Sequence, residues 1–204
     1  MSCLSCLGGG GEREPDQDLA GTSNGPAKKP QDSRIQLTER QVFLLQKNWK
    51  GITRKMEHTG VTMFSRMFEQ KQELYDIFSK LKHLKGRSQA ELGNNEQFEN
   101  HAVSVMEIFD QAVTHIGDPD KFFKLLEENA ARHATKPNFK AEYFMLLKEP
   151  FLFAVKITLE DRYTENMDQI YQTFIDLVLR TLVEETQKLL PPTSTGQVSV
   201  DVNS

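Results

Sequence analysis

Apolar residues recur along this chain at steps of three and four, and each run ends at a proline, a glycine or a polar stretch. The first run opens at Leu37-Thr38-Glu39-Arg40-Gln41. Thr38 suits an N-cap, Gln41 completes a capping box, and Leu37 can staple onto the helix that follows. Val42, Leu45, Trp49 and Ile52 form its stripe. A second helix is predicted from Met56 to Gln72, with Gly60, Met63, Phe64, Met67 and Phe68 facing inward. Leu74, Tyr75, Ile77, Phe78 and Leu81 follow as a tight, short-helix region. Lys82 to Gly93 is polar, with Gly86 and Gly93, and reads as a loop with room for one helical turn.

From Asn95 to Val113 the stripe is Phe98, His101, Val105, Phe109 and Ala112, ending near Gly117-Asp118-Pro119. Pro119 suits the start of the next helix, in which Phe122, Leu126, Ala130 and His133 recur. Lys136-Pro137-Asn138 stops it, because proline lacks a donor and disfavours helix in the residue before it. Phe139 to Thr158 reads as a further helix, with Tyr143, Phe144, Leu147, Phe151, Ala154 and Val155 buried and a kink at Pro150. Thr164 to Leu189 is the longest helix, with Met167, Ile170, Tyr171, Phe174, Leu177, Val178 and Leu182 inward, and Pro191-Pro192 ends it. No segment alternates as a strand would. The predicted fold class is all-α, with seven or eight helices.

All 13 phenylalanines lie between Phe43 and Phe174, so the core is confined to that span of the 204 residues. The expected organisation is a disordered tail over 1–33, one domain over 34–190, and a second disordered tail over 191–204. A net charge of −4 gives no electrostatic footprint for nucleic acid. No apolar stretch is long enough to cross a bilayer, and the first residues lack the pattern of a secretory signal. Both cysteines fall in the first six residues, so no disulfide staples the core and a cytoplasmic setting is expected. Cys3 and Cys6, with two leucines on a glycine-rich leash, suit S-acylation and hence membrane association. Two acyl chains are needed for stable anchoring, and Ser2 removes the myristoylation signal. The competing reading is an inert tail. Redox or metal chemistry of the Cys-x-x-Cys spacing lacks both a strand–helix context and a second ligand pair.

His101 and His133 sit in line on two apolar helix faces. Two readings of that placement are open. Each ring can be a core residue bonded to a carbonyl, or both can point into one hydrophobic slot from opposite walls. A flat, mostly apolar cofactor with a central metal fills such a slot, and haem is the obvious candidate.

Several local matches resemble the globin family. Phe64-Ser65-Arg66-Met67-Phe68 followed by Tyr75-Asp76-Ile77-Phe78 resembles the second globin helix and its corner phenylalanine. His101-Ala102-Val103-Ser104-Val105 matches the distal histidine with a valine one turn later. Arg132-His133-Ala134-Thr135-Lys136 matches the proximal histidine and its exit, and Trp49 falls on the tryptophan common in the first helix. The resemblance covers about 37 to 190, and within the family is similar to single-domain neuroglobin-like or invertebrate, nematode-type intracellular globins. Three departures stand out. Gln72 replaces the usual proline, Leu81 replaces a second corner aromatic, and Asn129 replaces a leucine. His133 lies 32 residues after His101 (133 − 101), slightly more than in oxygen-storage globins.

The resemblance implies haem b, held by His133 as proximal iron ligand. It makes His101 either a hydrogen-bond donor to a bound ligand or a second iron ligand in a six-coordinate resting state. Phe78, Phe64, Val105, Leu81, Phe139 and Phe144 would line the cofactor, with Arg132 and Lys80 facing its carboxylates. The Asn129 amide oxygen could accept the proton on the second His133 nitrogen, or the side chain could face solvent. The implied function is reversible binding of oxygen or another diatomic gas, for storage, transport or sensing. The alternative is a redox or signalling haem protein that uses a reductant to pass electrons or reduce nitrite or peroxide. A helical interaction domain without haem is the third, and the intact His101, His133 and Phe78 argue against it. The expected protein is a binder, with enzymatic redox activity secondary at most.

Overall fold

A computed structural model of the chain describes residues 32–190, and the predicted tails, Cys3 and Cys6 included, lie outside them except for Asp32 and Ser33. Among the described residues there are seven α-helices: α1 (Glu39–Thr53), α2 (Met56–Gln70), α3 (Gln89–Gly93), α4 (Glu96–His115), α5 (Pro119–Ala134), α6 (Lys148–Leu159) and α7 (Glu165–Leu189). Short 3-10 segments fill the corner after α2 and the approach to α6, and there is no strand in this span. The all-α class stands.

Local chemistry sets the boundaries. Thr38 and Gln41 form the expected capping box, with the Gln41 backbone N–H donating to Thr38 Oγ1 and the Gln41 side chain accepting from the Thr38 N–H. Asn95 caps α4 and Thr164 caps α7 through side-chain oxygens. Asn138, just past Pro137, takes a φ of 62°, a left-handed conformation that asparagine tolerates well.

The helical turn expected within Lys82–Gly93 is α3, started by a second capping box in Ser88-Gln89-Ala90-Glu91, and Ser79–Leu84 before it forms a 3-10 segment. One expectation needs correction: 139–158 is not one kinked helix. Ala141–Leu147 is 3-10, and α6 begins at Lys148, which makes Pro150 its third residue. The backbone donors of a first turn have no intrahelical acceptor, so proline there removes no bond and bends nothing.

The core centres on Trp49, whose ring lies 6.2 Å from Phe151, 6.3 Å from Tyr171 and 6.4 Å from Phe174. Its indole N–H donates to Asp110 Oδ1 at 2.8 Å, satisfying the one polar atom that burial would strand. This contact joins α1 to α4. Helix α2 also packs on α4, and α5 on α7. The α2–α4 crossing is close because Gly60 has no Cβ. One added there would lie 2.9 Å from the Ala102 carbonyl oxygen.

That carbonyl belongs to the residue after His101, so the crossing sets the height of the histidine wall. Gly60→Ala should destabilise the protein by about 1–3 kcal/mol, the usual cost of overpacking a tight contact. Urea unfolding measures it. An unchanged midpoint would show that the two helices can separate freely.

Candidate functional site

The register of α4 runs Phe98, His101, Val105 and Ile108 along one side, turned toward α2 and the corner. His101 is partly buried, with its ring 5.0 Å from Phe64 and 5.1 Å from Phe78, both meeting it edge to face. It has no hydrogen-bond partner among the described residues.

The facing wall is the last turn of α5. His133 Nδ1 lies 2.9 Å from the Asn129 carbonyl oxygen. A carbonyl only accepts, so Nδ1 carries the proton and Nε2 keeps its lone pair. Phe139 and Phe144 hold the ring from the other side, at 5.0 and 4.8 Å.

Between these walls is a cavity of about 480 Å³. Of the chain's five histidines, His101 and His133 alone line it. Phe64, Phe78, Val105, Phe139 and Phe144 line it too, with Asn129 below and Arg132 exposed at its mouth. Leu81 and Lys80 do not. They border an adjoining cavity of about 430 Å³, which Ile77, Phe78 and His101 also line. Leu81 is buried there and Lys80 is exposed. Sequence reasoning missed Ile108, Leu125, Leu147 and Leu182 as lining residues. Ile108 could have been found seven residues after His101 on the same face. Leu147 and Leu182 carry no such signal, because only the packing of other elements brings them in.

Asn129 differs from both expectations for its side chain. Its backbone carbonyl, not its amide, takes the His133 proton. The side chain does not face solvent either, being only 9% exposed and lining the cavity.

Burial keeps both rings neutral. It lowers His101 to about 4 from 6.5, helped by the proximity of His133. It also lowers His133, against the opposing pull of the Asn129 carbonyl and with help from Lys136 and Arg132. Neutral imidazoles are metal ligands. Among the described residues no cluster of three or more His, Cys, Asp or Glu could hold a metal ion alone. A metal between these walls would need its remaining ligands from a cofactor. A macrocycle that brings its own in-plane nitrogens suits two opposed imidazoles, aromatic walls and a polar mouth.

Without a cofactor, His101 is an acid-labile element. Its depressed folded-state value means that its contribution is fully present above about 6.5 and is lost as pH falls toward 4. Between pH 7 and 5 the apoprotein should lose about 1–2 kcal/mol in urea unfolding, and His101→Leu should flatten that slope. A slope that the substitution leaves unchanged would place the acid sensitivity elsewhere.

Comparison with known proteins gives this geometry a family. The chain is 25% identical to neuroglobin of Tetraodon nigroviridis over 146 residues, which span 72% of this chain and 90% of that one. It is 25% identical to cytoglobin-1 of Danio rerio over 111 residues, 54% of this chain and 63% of that one. Among solved structures, a hexacoordinated haem protein from an anhydrobiotic tardigrade superposes with a TM-score of 0.71 at 33% identity, over 76% of this chain and 99% of its own. Haemoglobin of the botfly Gasterophilus intestinalis shares the fold at 19% identity and a TM-score of 0.64, over 74% of this chain and 99% of its own. The globin family model matches residues 61–182, which take in both histidines and both walls, and the chain belongs to the globin family.

Proposed function

We propose that this chain is a haem b protein with His133 as the proximal ligand and His101 as the second axial ligand at rest, and that it binds a diatomic gas reversibly when His101 withdraws. The observation that carries the reading is the pair of neutral imidazoles facing one apolar cavity from opposite walls. The 33% identity to a tardigrade protein described as hexacoordinated supports the six-coordinate part. Haem, when bound, supplies the iron that takes the gas and that a reductant can return to its ferrous state.

The chain's own residues do the rest. The Asn129 carbonyl fixes the plane and tautomer of His133, which presents Nε2 to the cavity and makes the imidazole a stronger donor. Phe64, Phe78 and Val105 surround His101 with mostly apolar surface on the other wall. His101 finds no protein partner there, so holding the cofactor's metal would give its half-buried ring the polar contact it otherwise lacks. Arg132 is the cation at the mouth for a cofactor carboxylate. The adjoining cavity that His101 also lines gives the ring somewhere to go when it withdraws.

This arrangement makes external ligands compete. If the closed form holds nine-tenths of molecules, apparent affinity falls about tenfold below the intrinsic value. Reduced protein without added ligand should show sharp, split visible bands. His101→Leu should become five-coordinate and bind carbon monoxide about tenfold faster in a single phase. A five-coordinate wild type, or no acceleration in the variant, would reduce His101 to a hydrogen-bond donor. His133→Ala should lose haem during purification, and a normal Soret band in that variant would overturn the proximal assignment.

A further inference from the structure

The Asn129 side chain is the polar group that the haem reading leaves without a task. Its residue is 9% exposed and lines the main cavity. Its amide has two donor hydrogens and an acceptor oxygen, and makes no hydrogen bond to any described residue. The backbone cannot help, since the Asn129 carbonyl already holds His133 and neighbouring carbonyls serve the helix. The same elements bring Leu125, Phe144, Leu147 and Leu182 to the cavity, with Glu128, Arg132, His133 and Tyr143 as their polar groups there. None of these side chains bonds to the Asn129 amide. Its polar atoms open to the cavity instead of being sealed in protein, so their hydrogen bonds must come from whatever small molecule enters beside them.

We propose that Asn129 makes the His133 side of the cavity a second binding site, for one small neutral hydrogen-bonding molecule, with water as its resident. The proposal rests on the haem reading of the cavity and adds to it the class of molecule that the proximal side admits. One molecule can donate to Oδ1 and accept from Nδ2 of the same amide, so a single anchor suffices. His133 does not compete for it, because Nδ1 is engaged by the carbonyl and Nε2 points to the metal position. The amide therefore sets specificity. A molecule that cannot hydrogen-bond would have to displace the resident and strand the amide again, so apolar gases are turned away from this side and left to the His101 side. Leucine at position 129 would reverse the preference.

The test uses crystals of the haem-loaded full chain, wild type and Asn129→Leu, with and without xenon as the apolar probe. The wild type should show an ordered water within about 3 Å of the Asn129 amide and no xenon beside it. Asn129→Leu should lose that water and take xenon in its place. A wild-type amide that is bonded only to protein or cofactor atoms, or xenon bound beside it, would overturn the proposal. The wild-type crystal alone decides the point if the variant fails to fold. Failure of the haem reading is seen separately, as a missing Soret band. Crystals of the unloaded protein would then report on Asn129 by the same criteria.

Discussion

An imidazole placed among phenylalanine rings has to stay uncharged, and that constraint orders this molecule. The same burial that forbids the proton leaves the nitrogen lone pair available to a metal. Meeting the constraint twice, on opposite walls, takes backbone geometry as well as composition. Helix α4 must press on α2 for His101 to reach Phe64, which the missing Cβ of Gly60 permits. Helix α5 must end where it does for His133 to sit against Phe139 and Phe144, which Pro137 and the left-handed Asn138 arrange. Trp49 and its bond to Asp110 then tie α4 to the rest of the core, so the wall that carries His101 cannot drift.

Helical periodicity made the fold legible because each helix buries one face against a single core, so a three-to-four step is written directly into residue order. The stripes through His101 and His133 are of this kind. What periodicity could not show lies where backbone hydrogen bonding departs from it. The 3-10 run of Ala141–Leu147 presents apolar residues much as an α-helix does, so Phe139 to Thr158 looked continuous. Pro150 looked like a break because its cost depends on position within the helix, and the start of α6 was misplaced. The capping box of Ser88 and Glu91 was present in the sequence but hidden in a polar stretch too short to show a stripe.

The site was legible to a different depth. Two histidines in line with apolar stripes defined its walls, and the family resemblance supplied the chemistry. Lys80 and Leu81 border the second cavity with Phe78 and His101 instead of the one between the histidines, a matter of tertiary direction that spacing does not encode. Asn129 was read through its side chain, whereas the backbone carbonyl, common to every residue type, performs the orienting task. Only a position on the helix could reveal that, and it frees the amide for something else.

The two histidines are alike in chemistry and unlike in how they are held. His133 is fixed by a 2.9 Å bond to the backbone of its own helix, which moves only if the helix does. His101 is positioned by ring contacts with Phe64 and Phe78, has no hydrogen bond to break, and borders cavities of about 480 and 430 Å³. Rotating His101 exchanges dispersion contacts that are individually weak, while rotating His133 would strand its ring donor. The asymmetry divides the work. On the proposed reading, the ring held by its own helix would anchor a cofactor, and the ring held only by dispersion contacts would yield to an incoming ligand.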